Sequence, residues 1–200
     1  MNAPVTIHRQ ADHPVAPSFV ERWSPRAFDA TPMTEAEVML LLEAARWAPS
    51  AMNLQPWRFV VALRGEPGFD AIHASLSGNN RLWAGRAAAL VVFVSQSKIP
   101  QPDGTGRESG SHAFDTGAAW GAFGVQAHLA GWHSHAMGGF DREALHRAIN
   151  LPEGFVVQAV VAVGRRGNPE TLPEALRQRE VPSPRRPLSE SVLRGGFPAP

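Results

Sequence analysis

The sequence APSAMNLQPW, residues 48–57, lies between a helix-like pattern and an apolar, strand-like one. Its two prolines stiffen the segment and reduce the entropy that it loses on becoming ordered. Ser50, Asn53 and Gln55 supply neutral hydrogen-bonding groups, which suit the edge of a planar heterocycle better than acid–base chemistry. The residue types alone leave two interpretations open: a ligand-binding loop, and a rigid turn whose amides satisfy buried backbone groups.

The residues on either side of this segment predict a helix and a strand. Residues 34–48 begin with Thr34 and Glu37, which have the spacing of a capping box. Apolar residues then recur at helical spacing on one face, at Val38, Leu41, Leu42 and Ala45. Residues 57–63 alternate apolar side chains with smaller or polar ones, which is typical of a strand.

The rest of the chain predicts many helices and few strands. Further helices are expected at 17–22, 69–76, 112–131 and 141–149, and buried, continuously apolar strands at 88–95 and 155–163. Residues 97–110 are polar and rich in Gly and Pro, which predicts a loop. The tail after residue 165 is expected to extend over another surface. This mixture favours an α+β fold.

Composition excludes several classes of protein. The net charge of +1 is too balanced for a nucleic-acid-binding surface, which needs clustered Lys and Arg. Because there is no cysteine, disulfides, thiolate catalysis and cysteine-ligated metals are excluded. Residues 1–17 are polar, are expected to be loosely ordered, and have no signal-peptide core. No apolar run is long enough to span a membrane, so a cytoplasmic location is the default expectation.

The predicted helix 112–131 is unusually rich in small residues. Glycine in a helix costs about 1 kcal/mol relative to alanine, yet this helix contains Gly117, Gly121 and Gly124. We therefore expect another element or a ligand to approach the helix closely and offset that cost.

Two further clusters suit ligand binding. Arg22, Ser24 and Arg26 follow a short predicted helix and can form a charge-assisted grip on a phosphate, although a solvated basic turn explains them as well. Gly138 and Gly139 lie between a short strand and a helix, where paired glycines let backbone N–H groups approach a ligand ring. Turn chemistry before a helix-capping aspartate explains the same glycines.

Taken in order, these segments resemble those of the nitroreductase family of flavoenzymes, and the resemblance covers nearly all of the chain after the N-terminal segment. The string APSAMNLQPW is highly specific, whereas the other segments are individually weak but correctly ordered. The matching segments are RWSPRAF (22–28), AARWAPSAMNLQPW (44–57), NRLW (80–83) followed by Ala87 and Ala88, GGFD (138–141) and RRPL (185–188).

The resemblance implies an α+β fold with a central mixed or antiparallel sheet flanked by helices. Residues 18–200 would form one FMN-binding domain with an extended C-terminal tail. The resemblance also implies an intertwined homodimer, with FMN held in clefts at the subunit interface.

The activity implied is that of an FMN-dependent oxidoreductase. NADH or NADPH would reduce nitroaromatic, quinone or other conjugated small-molecule acceptors by ping-pong hydride transfer. Two alternatives stay open: a flavin-dependent oxidase or dehydrogenase of one specific metabolite, and a flavin-binding carrier or sensor without turnover.

By position, the resemblance implies that arginines near both ends of the chain bind the phosphate of FMN. Arg22 and Ser24 match the N-terminal phosphate contacts of the family. Arg185, or its neighbour Arg186, matches the C-terminal contact. The lysine that many members have just before this arginine pair is absent here, which leaves more of the phosphate to the arginines.

Other positions match contacts of the flavin ring. Arg26 matches the basic residue near N1 and O2, where a positive charge stabilises the anionic reduced flavin, and Trp23 lies in the same motif. Asn80 matches an amide at the pyrimidine edge, and Gly139 matches the glycine whose backbone N–H points toward N5. Gly138 stands where many members have an acidic residue, so a side-chain contact is lost there.

The loop of residues 49–55, here called the central loop, is implied to serve the neighbouring subunit. Pro49, Ser50 and Asn53 match residues that touch the flavin bound by the partner, with Ala51 and Gln55 beside them. No dedicated acid–base residue is implied, because FMN carries the hydride chemistry and the protein supplies binding and electrostatics.

The histidines suggest a metal, but their spacing argues against one. His133 and His135 can lie on one face of a strand, yet no carboxylate stands at HExxH spacing. No metal site is therefore expected. Either histidine is a candidate for a place near the flavin.

Overall fold

The structure, a computed structural model, describes residues 9–101, 103 and 105–197. The expectations for residues 1–8, for positions 102 and 104 of the predicted loop and for residues 198–200 of the tail lie outside these described residues. Within them the α-helices are Pro17–Glu21 (α1), Glu35–Arg46 (α2), Pro67–Ser75 (α3), Gly78–Ala84 (α4), His112–Leu129 (α5), Arg142–Ala148 (α6) and Glu174–Arg177 (α7). The strands are Trp57–Leu63 (β1), Ala89–Gln96 (β2), Lys98–Pro100 (β3), Gly106–Glu108 (β4), His133–Met137 (β5) and Phe155–Gly164 (β6).

Four strands form an antiparallel sheet in the order β1-β2-β6-β5. Strand β1 pairs with β2 along its whole length, from Trp57 opposite Ser95 to Leu63 opposite Ala89. The pairing of β2 with β6 contains one irregularity, between Phe93 and Val94. The prediction of an α+β fold with a central sheet is confirmed, and the sheet is antiparallel throughout its described strands.

The two central strands are buried on both faces, as their apolar runs predicted. Because side chains alternate along a strand, Leu90, Val92 and Val94 of β2 pack into one cluster with residues of α3, α4 and α6. Their neighbours pack on the opposite face with residues of α2 and α5. Each fully buried valine or leucine contributes about 1.5–3 kcal/mol. Helices therefore cover both faces of the sheet.

Helix α2 begins at the predicted capping box. The Thr34 hydroxyl accepts a hydrogen bond from the Glu37 N–H at 3.3 Å, and the Glu37 carboxylate accepts one from the Thr34 N–H at 2.8 Å. The four predicted apolar residues of this helix are buried. The helix ends at Arg46, before the proline that starts the central loop.

Residues 97–110 are not simply the loop that was predicted. Within the described residues, β3 and β4 form a short antiparallel hairpin, with Lys98 opposite Glu108 and Pro100 opposite Gly106. The Lys98 ammonium also lies 2.8 Å from the Glu153 carboxylate. Pairing between short polar strands leaves no apolar period in the sequence, so composition alone predicted irregular backbone.

Helix α4 was not predicted at all. Its first residues, Gly78 to Asn80, are poor helix formers, so local preference argues against a helix here. Tertiary contacts decide otherwise, because Trp83 and Ala84 are buried and the Ser77 N–H donates to the Gly139 carbonyl at 3.0 Å. Helix α3 begins at Pro67, two residues before the predicted start, since proline suits the first turn of a helix.

The C-terminal tail is only partly extended. Helix α7 interrupts it, and Leu172 and Glu180 are buried. From Val181 to Phe197 the residues lie mostly at the surface. The tail therefore returns to the body of the protein up to Glu180 and is exposed after it.

A β-bridge between two distant segments fixes the N-terminal motif. Phe28 pairs with Arg166, and the Gly167 N–H donates to the Ala27 carbonyl at 2.7 Å. Phe28 is fully buried, and its backbone and ring lie directly against Gly167 and Gly164. The residues just before Phe28, which include the RWSPR motif, are thereby held at the end of β6.

Candidate functional site

The RWSPR motif lines a cavity of about 440 Å³ that is rich in arginine, here called the arginine cavity. The cavity lies where the end of α1, the middle of β5 and the C-terminal tail meet. The motif contributes Arg22, Trp23, Ser24 and Arg26. The other charged or polar residues that line the cavity are Arg9, His135, Arg179, Ser183 and Arg185.

Arg22 is half-buried in the arginine cavity. Its Nη1 lies 3.4 Å from the Ser24 hydroxyl, and its Cδ lies 3.7 Å from the Cβ position of Gly124 on α5. Burial, followed by the nearby charge of Arg185, lowers the pKa of Arg22. The Arg22 stem therefore packs against α5 at Gly124, where a Cβ would make only ordinary van der Waals contact with it.

Arg26 is held by Glu180, a residue that sequence reasoning missed. Glu180 is 6% exposed, and its Oε1 accepts hydrogen bonds from the backbone N–H groups of Arg26 and Ala27 at 2.7 and 2.8 Å. Its Oε2 lies 3.7 Å from Arg26 Nη1. One glutamate among several in an arginine-rich tail gave no signal, because the partners of Glu180 are more than 150 residues away.

The structure separates the two C-terminal arginines that sequence left as alternatives. Arg185 lines the arginine cavity together with Arg22, whereas Arg186 does not. Arg186 lines an adjoining cavity of about 810 Å³ between the N-terminal segment and the tail. Both side chains are exposed. Arg185 is therefore the better placed of the two for an anion in the arginine cavity.

An apolar groove of about 790 Å³, here called the α5 groove, adjoins the arginine cavity. Arg22, Ser24 and His135 line both. The rest of the groove wall comes largely from the small and apolar residues of α5, including Ala118, Trp120, Gly121, Ala122 and Val125. An apolar slot next to a cluster of cations suits a ligand that combines a flat ring with a phosphate.

Gly139 and Asn80 meet at the end of β5. The Asn80 side-chain amide donates to the Gly139 carbonyl at 2.9 Å, and a Cβ at Gly139 would lie 2.8 Å from the Ser77 hydroxyl. A side chain at position 139 would therefore displace the side chains of Ser77 and Asn80. The Gly139 N–H has no acceptor among the residues that the structure describes, whereas Gly138 is exposed and has open space around it.

His133 and His135 on β5 are largely buried beside the arginines. Burial is the main cause that lowers the pKa of each to about 4, and nearby cations add to the effect. His135 Nδ1 lies 3.1 Å from the Pro25 carbonyl, and its ring lies 4.7 Å from that of Trp83. Within the described residues His133 Nδ1 is buried without a hydrogen-bond partner. Both rings are therefore neutral at physiological pH.

These two histidines predict a loss of stability in acid. Because their pKa is depressed in the folded state, the unfolded chain binds more protons between about pH 6.5 and pH 4. Stability is then fully present above pH 6.5 and falls as the pH drops through this window, by up to about 3 kcal/mol per histidine. Urea unfolding of the protein and of His133→Gln and His135→Gln at pH 7 and pH 4.5 measures this. Unchanged pH dependence in both variants would contradict it.

The central loop lies elsewhere on the chain and is anchored by Asp115. The Asp115 carboxylate, 3% exposed, accepts hydrogen bonds from the Ala51 N–H at 3.2 Å and from the Ser111 hydroxyl at 3.0 Å. Ser50 accepts one from the Gln55 N–H at 3.0 Å. Sequence reasoning missed Asp115, since nothing in helix α5 marks it as a partner of residue 51.

The loop is compact and strained. Met52, Asn53 and Gln55 have positive φ angles of 51°, 54° and 48°, which side-chain-bearing residues rarely adopt. Such conformations cost about 1–3 kcal/mol each and are often kept for a functional reason. Pro49, Ala51, Asn53 and Gln55 are exposed, and Ser50 is half-buried.

The structure does not bring this loop to the arginine cavity of the same chain. The loop contacts α5 at Asp115, near the start of the helix, whereas Arg22 contacts α5 at Gly124. Nine helical residues separate these points, a rise of about 14 Å. The predicted site residues therefore do not all meet within one chain: the RWSPR motif and Arg185 line the arginine cavity, Asn80 and Gly139 meet at the end of β5, and the loop of residues 49–55 lies near the start of α5.

The arginine cavity and the α5 groove adjoin a helix-flanked antiparallel sheet. The Nitroreductase family profile matches residues 20–67 and 67–165. The chain belongs to the nitroreductase family.

Individual relatives agree with this assignment. A solved structure described as an oxidoreductase containing FMN is 40% identical, covers 99% of this chain and 100% of its own, and has a TM-score of 0.94. A NADH dehydrogenase of Thermus thermophilus is 28% identical over 202 residues, which cover 87% of this chain and 92% of the relative.

A more distant structure supports the fold. A protein of Desulfovibrio desulfuricans, assigned as a nitroreductase and solved in complex with FMN, is 24% identical and has a TM-score of 0.72. The alignment covers 94% of this chain and 100% of that one. Among the described residues of the present chain, no helix is both long and apolar enough to cross a membrane.

Proposed function

We propose that this protein is an FMN-dependent oxidoreductase that uses NADH or NADPH to reduce nitroaromatic, quinone or other conjugated acceptors. The observation that supports this best is the arginine cavity joined to the α5 groove through Arg22, Ser24 and His135. The FMN-containing relative at 40% identity and the relative named NADH dehydrogenase support the cofactor and the electron donor.

The residues of the arginine cavity fit the phosphate end of FMN. The arginine cavity is lined by Arg22, Ser24 and Arg185. After burial, the nearby charge of Arg185 is the second cause that lowers the pKa of Arg22. Bringing a dianion between them would replace that repulsion by charge-assisted hydrogen bonds. Glu180, the buried carboxylate of this region, is paired with Arg26 and leaves the other two cations available.

Residues outside the groove wall are proposed for the edges of the flavin ring. Arg26, oriented by Glu180, would hold the N1 and O2 edge, and the unpaired N–H of Gly139 would face N5. Asn80 holds the Gly139 carbonyl and so keeps its own amide beside this glycine. When bound, FMN would supply the hydride chemistry, while the neutral His135 and the apolar wall of the groove would limit the access of water to the ring.

The central loop would complete the site of a second subunit in a homodimer. Large apolar side chains are exposed along α2 and α5: Met39, Leu40, Trp47, Phe114 and Leu129. A Cβ at Gly117 or Gly121 would meet no described atom within 4 Å. A partner packed on this face would bury the apolar side chains and would bring its own residues 49–55 to the α5 groove.

Absorbance of the purified protein tests the proposed activity. The protein is expected to be yellow, and the flavin band near 450 nm is expected to bleach on anaerobic addition of NADH or NADPH and to return on addition of menadione or nitrofurazone. Bound flavin that no nicotinamide bleaches would favour an oxidase of a specific metabolite or a flavin carrier. A protein that neither contains nor takes up FMN would overturn the proposal.

Mass measurement in solution tests the shared site. We expect a dimer of about twice the 21.6 kDa chain mass, with FMN lost when dilution yields monomer. Asp115→Ala is expected to weaken FMN binding as well, since the loop loses its anchor. A stable monomer that keeps FMN at full occupancy would refute the contribution of the loop from the partner.

A further inference from the structure

Arg9, which precedes α1 by eight residues, ties three parts of the chain together at the arginine cavity. Its Nη1 donates hydrogen bonds to the carbonyls of Val20 and Arg22 at 2.7 and 2.8 Å. Its Nε donates to the Ser183 carbonyl at 2.8 Å. The N-terminal segment, the RWSPR motif and the C-terminal tail therefore meet at one guanidinium group.

The Arg9 guanidinium has N–H groups that make no hydrogen bond within the described residues. An arginine has five N–H groups, and the three hydrogen bonds above use Nε and Nη1. Within the described residues Nη2 has no hydrogen-bond acceptor and Arg9 has no ion pair. Arg9 is half-buried and lines the arginine cavity. Two N–H groups are thus available at that cavity.

The positive charges around Arg9 favour the binding of an anion. Burial, then Arg185 and then Arg22, lower the pKa of Arg9, so these cations lie close enough to repel one another. The nearby carboxylate of Glu180 is engaged by Arg26 and two backbone N–H groups. Three clustered guanidinium groups without a carboxylate between them are unfavourable until a multiply charged anion binds.

A second contact joins the same two chain ends. The Asp12 carboxylate accepts a hydrogen bond from the Leu188 N–H at 2.7 Å. Asp12 lines the adjoining cavity but not the arginine cavity. The N-terminal segment is therefore held to the tail at two points, and only one of them places a cation at the arginine cavity.

We propose that Arg9 is a further phosphate-binding residue, supplied by the N-terminal segment, which closes on the flavin phosphate together with the C-terminal tail. This inference rests on the proposed function, since it names an additional contact within that site. Arg9 acts on the phosphate directly through Nη2 and on Arg22 through the backbone carbonyl.

A comparison of FMN with riboflavin tests the role of Arg9, because riboflavin has the same ring and ribityl chain but no phosphate. For Arg9→Met we expect the Kd of FMN, measured by quenching of flavin fluorescence, to rise about tenfold. The Kd of riboflavin is expected to change less than twofold. Arg9→Lys, which restores the charge without the planar fork, is expected to recover part of the FMN affinity.

Asp12→Asn is the matched control for joining the chain ends without adding a cation. In Asp12→Asn, the ratio of the FMN Kd to the riboflavin Kd is expected to stay within twofold of the ratio in the wild-type protein. Equal weakening of both flavins by Arg9→Met would overturn the inference in favour of a purely structural role, and an unchanged FMN affinity would overturn it outright. If the protein without any substitution binds neither FMN nor riboflavin, the proposed function itself is wrong.

Discussion

Replacing Arg22 with methionine is expected to weaken FMN binding about 100-fold. Methionine keeps much of the apolar contact of the arginine stem but removes its charge. Hydrogen bonds to charged groups contribute about 1.5–3 kcal/mol, and a loss of about 2.7 kcal/mol corresponds to 100-fold. The effect is placed at the upper end because Arg22 is half-buried, where water screens its charge poorly, and because it lines both the arginine cavity and the α5 groove.

Titration with FMN and with riboflavin separates the charge effect from a folding effect. Riboflavin affinity is expected to change less than threefold in Arg22→Met, because only the phosphate is recognised by the charge. Arg147→Met is a suitable control, since Arg147 lies on α6 with its side chain 73% exposed. A loss of riboflavin affinity as large as that of FMN would show that Arg22 supports the fold of the site instead.

Replacing Gly167 with alanine is expected to destabilise the protein by about 3 kcal/mol or more. A Cβ at this position would lie 2.6 Å from the Phe28 carbonyl carbon and 2.7 Å from the Asp29 backbone nitrogen. Both contacts are with backbone, which cannot rotate away as a side chain can, so the β-bridge between Phe28 and Arg166 must open. Overpacking of a well-packed interior usually costs about 1–3 kcal/mol, and a backbone collision belongs at or above the top of that range.

Urea unfolding followed by circular dichroism measures this loss, and two glycines supply graded controls. Gly196 has open space around it, so Gly196→Ala is expected to change stability by less than about 0.5 kcal/mol. At Gly164 the Cβ would lie 2.6 Å from Cδ1 of the Phe28 ring, a side chain instead of backbone, so a loss between those of the other two variants is expected. A stability of Gly167→Ala equal to that of Gly196→Ala would contradict the role assigned to the bridge.

Arg22 and Gly167 belong to one connected set of contacts that holds the RWSPR motif. The bridge at Phe28 fixes the segment that follows the RWSPR motif, Glu180 fixes the two N–H groups at Arg26 and Ala27, and Arg9 fixes the carbonyl of Arg22. The motif is therefore held by backbone contacts from three distant parts of the sequence. We expect Gly167→Ala to weaken FMN binding as well, through displacement of Arg22 and Arg26.

Much of the secondary structure could be predicted because it depends on local patterns. The capping box of α2, the apolar runs of β2 and β6 and the two prolines of the central loop all act within a few residues. The hairpin of residues 98–108 and helix α4 could not be predicted, because short polar pairing and a helix start at Gly78 are stabilised by distant contacts. Propensity is a weak prior that such contacts override.

By itself, the sequence determined the α+β class and the segments that carry ligand chemistry, since composition, spacing and hydrophobic period are properties of neighbouring residues. Tertiary structure alone decided which of these residues meet. It joined Arg22 to Arg185 and Arg26 to Glu180, placed Arg9 among them, and kept the loop of residues 49–55 about 14 Å along α5 from Arg22. The physical reason is that a cluster of like charges becomes a binding site only through the long-range packing that brings it together, and no local pattern encodes that packing.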